Sequence, residues 1–158
     1  MTENINYPAL TIMSSAFRAG GTIPVQFTCD GADQRPPLEI SDIPAGAITL
    51  ALIVNDPDAA AAGGWVHWLK WNIPAHTETT VVIREGEEPM GVSGESSDGT
   101  RMYHGPCPPF GTHRYFFKAY ALDSELALPA GAGKDELITA MSGHIRAYGE
   151  LMGTYTRK

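Results

Sequence analysis

Glycine and proline punctuate this chain from end to end, with 17 glycines and 12 prolines among 158 residues. Glycine accepts turn conformations that other residues resist, and proline fixes φ and removes a backbone donor. Such close punctuation predicts many short strands joined by turns. "LTIMSS", "TIPVQFTC" and "PLEISDI" each read as a short strand, and "ITLALIVND" (48–56) reads as a buried one. Strand side chains alternate between faces. In "WVHWLKWNI" (65–73), alternation puts Trp65, His67, Leu69, Trp71 and Ile73 on one face, with Val66, Trp68, Lys70 and Asn72 on the other. In "HRYFFKAYAL" (113–122), His113, Tyr115, Phe117, Ala119 and Ala121 fall together, with Arg114 and Lys118 opposite.

One stretch has a helical period. In "GKDELITAMSGHIRAY", Leu137, Ile138, Met141, Ile145 and Tyr148 share a face, Asp135 and Glu136 suit the positive N-terminal end, and Gly149 is placed to close the helix. "ELMGTYTR" then reads as a short final strand. With no internal repeat and no linker, residues 1–158 read as a single domain, a mainly β antiparallel sandwich carrying one C-terminal helix. Segment 86–102, rich in glycine, serine and acids, has no period and reads as a long loop.

A net charge of −7 argues against a nucleic-acid binder, which needs a basic face. It leaves room for a small anion site, which local backbone amides and a few cations decide. No apolar run approaches the ~20 residues of a membrane span, and "MTENINYPAL" lacks the basic region and apolar core of a secretory leader. The expected location is the cytoplasm. Cys29 and Cys107 are too few for a disulfide scaffold; reduced thiols are the expected state, with a bridge left open.

Three constellations carry chemistry. In the first, Asp56 and Asp58 flank Pro57 at a strand end, ordinary turn chemistry were it not for His67 shortly after on an apolar face. Either carboxylate is available to partner that imidazole. The second is "YHGPCPPFGTHRY" (103–115), where Pro106, Pro108 and Pro109 stiffen a loop and Gly105 and Gly111 permit close approach or unusual φ. His113 and Tyr115 point the same way at the start of a strand, a donor pair suited to an oxyanion. The third, "TCDGADQRPPLEI" (28–40), says only "loop" by itself.

Together these pieces carry a resemblance. "CDG" with "PPL", "DPD" followed by "WVHW", "YHGPCPPFGTHRYFFKAYAL" and "SGHIRAYGELMGTY" occur in one order along nearly the whole chain. In them the chain resembles the phosphatidylethanolamine-binding protein family, above all its bacterial Raf-kinase-inhibitor-like branch. The resemblance implies a Greek-key β-sandwich with a small anion pocket. On it, Asp56, His67, Pro108, His113 and Tyr115 match the pocket positions, with Asp58, Gly105 and Cys107 at the rim. Two departures stand out: Ala60 replaces the proline of the D-P-D-A-P pattern, and Arg35 replaces a serine before Pro-Pro, bringing a cation near the site if that loop approaches it.

The expected function is non-catalytic binding of phosphate, a carboxylate or a phospholipid headgroup in a preformed pocket, without cofactor. His67, His113 and Tyr115 would donate hydrogen bonds, Asp56 would orient one imidazole, and Trp65, Trp68 and Trp71 would pack around the site. Two other readings share the residues. A hydrolase would use an Asp–His pair or Cys107 as nucleophile, although no nucleophile elbow is visible. A metal site would draw on Asp56, Asp58, His67, His104 and His113, which lack the short spacings of such sites. The resemblance also allows a regulator that reads a phosphorylated partner, modulating a kinase or protease, and leaves a homodimer open.

Overall fold

The computed structural model describes residues 7–157; residues 1–6, on which the leader expectation partly rests, lie outside it. In chain order the elements are β1 (Thr11–Met13), a 3-10 turn (Val25–Phe27), β2 (Leu38–Ser41), β3 (Thr49–Asp56), β4 (Trp65–Pro74), β5 (Val81–Ile83), β6 (Val92–Ser93), β7 (Gly111–Leu122), α1 (Lys134–Met141) and β8 (Ile145–Arg157). They form a three-stranded sheet, β1-β2-β5, and a five-stranded sheet, β6-β4-β3-β7-β8. All pairings between these strands are antiparallel. Short β5, and β6 within the 86–102 loop, had no signal that stood out from their turn-rich surroundings.

The large sheet is buried on both faces. On one, Leu50, Leu52, Val54, Phe117 and Leu151 meet Ile12, Leu38, Ile40 and Ile83 of the small sheet. On the other, Ala51, Ile53, Leu69 and Trp71 lie under Leu137 and Met141 of α1. β3 is buried at every position, which is why it reads as a continuous apolar run and not as an alternation.

Three sequence expectations change. "TIPVQFTC" is no strand: Pro24 opens a turn in which Phe27 N–H donates to the Pro24 carbonyl (3.1 Å) and Thr28 N–H to that of Val25 (3.0 Å). The Thr28 hydroxyl also donates to Val25 (2.8 Å), a local bond that competes with a sheet ladder. The helix stops at Met141 because Gly143 takes φ +83°, a left-handed conformation suited to glycine. Ile145, Tyr148 and Gly149 consequently belong to β8, and Ile138, off the face that buries Leu137 and Met141, is exposed. The final strand is therefore long, 13 residues, with Ala147, Gly149, Leu151, Gly153 and Tyr155 buried in alternation.

The faces of β4 also change. Val54 pairs with Trp68 but Asn55 with Val66, so His67 is an extra residue, a β-bulge. The bulge reverses the parity of the strand: Val66 before it and Leu69 and Trp71 after it all pack toward α1, while Trp68 packs between the sheets. A second irregularity, with Asn72 at φ 57°, returns Ile73 to the inter-sheet core. Trp65, His67, Leu69, Trp71 and Ile73 do not share one face.

Cys29 and Cys107 are bridged, with Cα atoms 5.4 Å apart, where free thiols were expected. Each sits in a loop too irregular for sequence to reveal that the two loops meet. No helix among the described residues is long and apolar enough to cross a membrane.

Candidate ligand-binding site

The C-terminal end of β3 and the N-terminal end of β7 lie side by side in the large sheet, which carries Asp56 to His113 and Tyr115. The Asp56 carboxylate meets His113 Nδ1 at 2.6 Å, and its other oxygen accepts from Asp58 N–H at 2.7 Å. One buried carboxylate thus caps the β3 turn and orients the imidazole. A carboxylate only accepts, so Nδ1 carries a proton in either charge state of the ring.

The bulge in β4 delivers His67 to the same place, with its ring edge-on to Tyr115 (centroids 5.3 Å apart). Its Nδ1 lies 2.6 Å from the His104 carbonyl, and His104 N–H donates back to the His67 carbonyl at 3.1 Å. The carbonyl, and neither carboxylate of the Asp56–Asp58 pair, is the partner of His67. Burial holds its pKa below the ordinary histidine value, against the opposing pull of the His104 carbonyl and of Asp56 and Asp33. Tyr115 is 1 % exposed, and its hydroxyl is buried without a partner. Burial, reinforced by Asp56 and Asp58, pushes the phenol well above its usual range and keeps it a donor.

The rim is tied down from below. The Cys29–Cys107 bridge joins the two loops, Cys29 N–H donates to the Pro106 carbonyl at 3.1 Å, and the buried Tyr103 hydroxyl donates to Phe27 at 2.9 Å. Gly105 N–H donates to Asp33 Oδ1 at 2.8 Å. A Cβ at Gly105 would lie 1.9 Å from the Phe27 carbonyl oxygen, so the crossing of the two loops admits only glycine. Asp58 faces the other flank, where the Arg114 guanidinium (2.9 and 3.0 Å) and N–H (2.9 Å) hold it. Those bonds, led by the guanidinium, lower its pKa to about 2.

A cavity of about 550 Å³ lies among these groups, lined by Asp56, His67, Pro108, His113 and Tyr115 and, at its edge, by Asp58, Gly105 and Cys107. The five pocket positions and three rim positions matched in the sequence therefore come together. The lining also includes Asp33, Asp98, His104 and Phe110, which sequence reasoning did not assign to the pocket. His104 is clamped between Asp98 (2.7 Å) and Asp33 (3.6 Å); its place next to "GPCPP" was the available signal.

Other expectations do not hold. Arg35 does not line the cavity; its guanidinium lies 5.5 Å over the Trp68 ring and pairs with Glu88. Of the tryptophans only Trp65 reaches the site, since Trp68 is in the inter-sheet core and Trp71 donates to the Leu128 carbonyl at 3.2 Å. Cys107, as half of a disulfide, has no thiol to act as nucleophile. Among the described residues no group of three or more His, Cys, Asp or Glu is arranged to hold a metal ion.

The family model described as phosphatidylethanolamine-binding protein matches residues 13–156. A UPF0098 protein of Methanothermobacter thermautotrophicus is 43% identical over 151 residues, covering 94% of this chain and 99% of its own. One from Chlamydia pneumoniae is 41% identical over 152 residues, with 94% and 99% covered. The relatives are thus archaeal as well as bacterial. Among solved structures, CT736 of Chlamydia trachomatis, described as a homolog of phosphatidylethanolamine-binding protein, superposes with a TM-score of 0.88 at 41% identity, covering 95% of this chain and 99% of that one. YbcL of E. coli, described as a new member of the mammalian family, gives 0.85 at 27% identity over 94% and 99%.

Proposed function

Because the chain belongs to the phosphatidylethanolamine-binding protein family, we propose that the cavity between β3, β4 and β7 binds a small oxyanion, phosphate or a phosphorylated headgroup, without transforming it. The observation that carries this reading is the buried Tyr115 hydroxyl, unpartnered beside two imidazoles. An unsatisfied buried hydroxyl costs about 1–3 kcal/mol, and a ligand oxygen would relieve that cost. His113 Nε2, directed by the Asp56–Nδ1 contact, supplies a second donor when the ring is protonated.

Phe110, 78% exposed, and Trp65 stand at the cavity's edge. They favour a ligand with an apolar or cationic body beyond its anionic head, since an aromatic face suits both. The same edge supports the second reading, a phosphorylated side chain presented by a protein partner. A hydrolytic role is the weaker reading, because the bridged Cys107 offers no nucleophile. The compartment is part of the proposal: a cytoplasmic site must keep the Cys29–Cys107 bridge against cellular thiols.

Calorimetric titration with inorganic phosphate tests the reading. His113→Ala is expected to weaken binding about tenfold or more, the worth of one hydrogen bond to a charged group. Equal binding by both proteins would sink it.

A further inference from the structure

Of the two imidazoles in the cavity wall, His113 has a carboxylate directly behind it and His67 does not. We propose, building on the anion-binding reading above, that Asp33 is the positioning residue of His67. It holds that ring for the ligand through the peptide group between His104 and Gly105.

Strand register does not hold His67. It is the extra residue of the β4 bulge, so no residue of β3 stands opposite it in the ladder. Its ring is fixed instead by the 2.6 Å contact of Nδ1 with the His104 carbonyl. A carbonyl only accepts, so Nδ1 carries a proton. Nε2, with no partner among the described residues, is the ring nitrogen left for the cavity that His67 lines.

The carbonyl is itself held from behind. The His104 C=O and the Gly105 N–H belong to one planar trans peptide, which points them in opposite directions. That N–H donates to Asp33 Oδ1 at 2.8 Å. Asp33, the peptide and His67 thus form an unbroken chain of hydrogen bonds. An acceptor at one end polarises the peptide and strengthens the bond that its carbonyl accepts at the other. Asp56 supports Nδ1 of His113 by direct contact; Asp33 supports Nδ1 of His67 at one remove.

Two features of the backbone fit this role. Asp33 keeps a left-handed conformation, φ 58°, which glycine adopts more readily. A side chain is therefore retained there against local strain, as happens where a group has work to do. Gly105 has no room for a side chain: a Cβ would lie 1.9 Å from the Phe27 carbonyl oxygen and 2.7 Å from Asp33 Oδ1. The peptide is pressed against its acceptor. The other oxygen of Asp33 lies 3.6 Å from His104 Nδ1, so one carboxylate steadies both the side chain and the peptide of His104.

Asp33 also lines the cavity, and as a bare negative charge it would only repel an anion. The two roles predict opposite signs. The test is calorimetric titration of wild type, Asp33→Asn and Asp33→Gly with inorganic phosphate. Asparagine keeps an oxygen for the Gly105 N–H and tolerates the left-handed backbone; glycine removes the acceptor and relaxes that backbone. Asp33→Gly is expected to bind phosphate about fivefold more weakly, the worth of one hydrogen bond, and Asp33→Asn to recover most of that loss. The two variants moving together, in either direction or not at all, overturns the proposal.

The second readout is the His67 ring, followed by nitrogen-resolved NMR near neutral pH. Wild type and Asp33→Asn should show the proton fixed on Nδ1, and in Asp33→Gly that signal should be lost to exchange with water. A side chain that merely braces the rim would leave it unchanged. A ring protonated only on Nε2 in wild type overturns the link whether or not the glycine variant folds. If wild type does not bind phosphate, the anion-binding reading falls, and the dependence of the His67 proton on Asp33 still decides the link by itself.

Discussion

Asp56 and His113 are held 2.6 Å apart across neighbouring strands, and the carboxylate that makes this contact also closes the turn at Asp58. Orientation of the imidazole is therefore built into the end of β3. Asp56→Asn keeps an oxygen for the turn but replaces the anion facing His113. Phosphate affinity is expected to fall about tenfold with little change in melting temperature, read by calorimetry and thermal unfolding. Unaltered affinity would show that His113 needs no carboxylate to serve the site.

His67 makes stability depend on pH. Its folded pKa lies below the ordinary value of 6.5. As pH falls through 6.5, the unfolded chain takes up a proton that the folded ring refuses, so the fold loses stability on the acid side. The loss is at most about 1.4 kcal/mol per pH unit and ends once the folded ring also protonates. Urea unfolding of wild type and His67→Asn between about pH 7.5 and 5.5 should show a shallower decline in the variant. Parallel declines would contradict the assignment.

The Cys29–Cys107 bridge closes a loop with a sequence separation of 78. On the chain-entropy account that is worth about 4 kcal/mol, on the order of 10 °C in melting temperature for a domain of this size. The double substitution Cys29→Ser, Cys107→Ser should melt lower by about that much and become insensitive to reductant. Peptide mapping of protein from its native cells should recover the cross-linked pair. Finding it fully reduced there would mean that the site works without the tie between its loops.

Gly105→Ala forces a methyl group against the Phe27 carbonyl oxygen and, at 2.7 Å, Asp33 Oδ1. Both are fixed, one by the backbone and one by its bond from Gly105 N–H. The substitution should cost about 3 kcal/mol or more, seen as a lower urea midpoint. A neutral result would indicate that the rim can separate from the Phe27 turn.

The sandwich was legible in period-two patterns, and most of the pocket only through the family resemblance that its motifs carry. His113 and Tyr115 share a face as alternation requires, and β3 declared itself as an unbroken apolar run. What escaped was set by single residues acting against a pattern. The helical period ran on through Ile145 and Tyr148 because those spacings fit a helix as well as a strand, and only the conformation of Gly143 decides between them. The bulge at His67 leaves no mark in composition, so the tryptophans were assigned to the wrong faces. The Cys29–Cys107 and Gly105–Asp33 contacts join loops far apart in the chain and could not be read locally.

The bulge in β4 works as a frame shift within a strand. Up to and including the bulge, Trp65 and His67 address the cavity; immediately after it, Leu69 and Trp71 address the helix. Substitutions at Trp65 or His67 can therefore reshape the cavity wall without disturbing the layer beneath α1, and Leu69 and Trp71 can be repacked without facing the cavity. A single strand serves two layers of the molecule that are free to diverge independently.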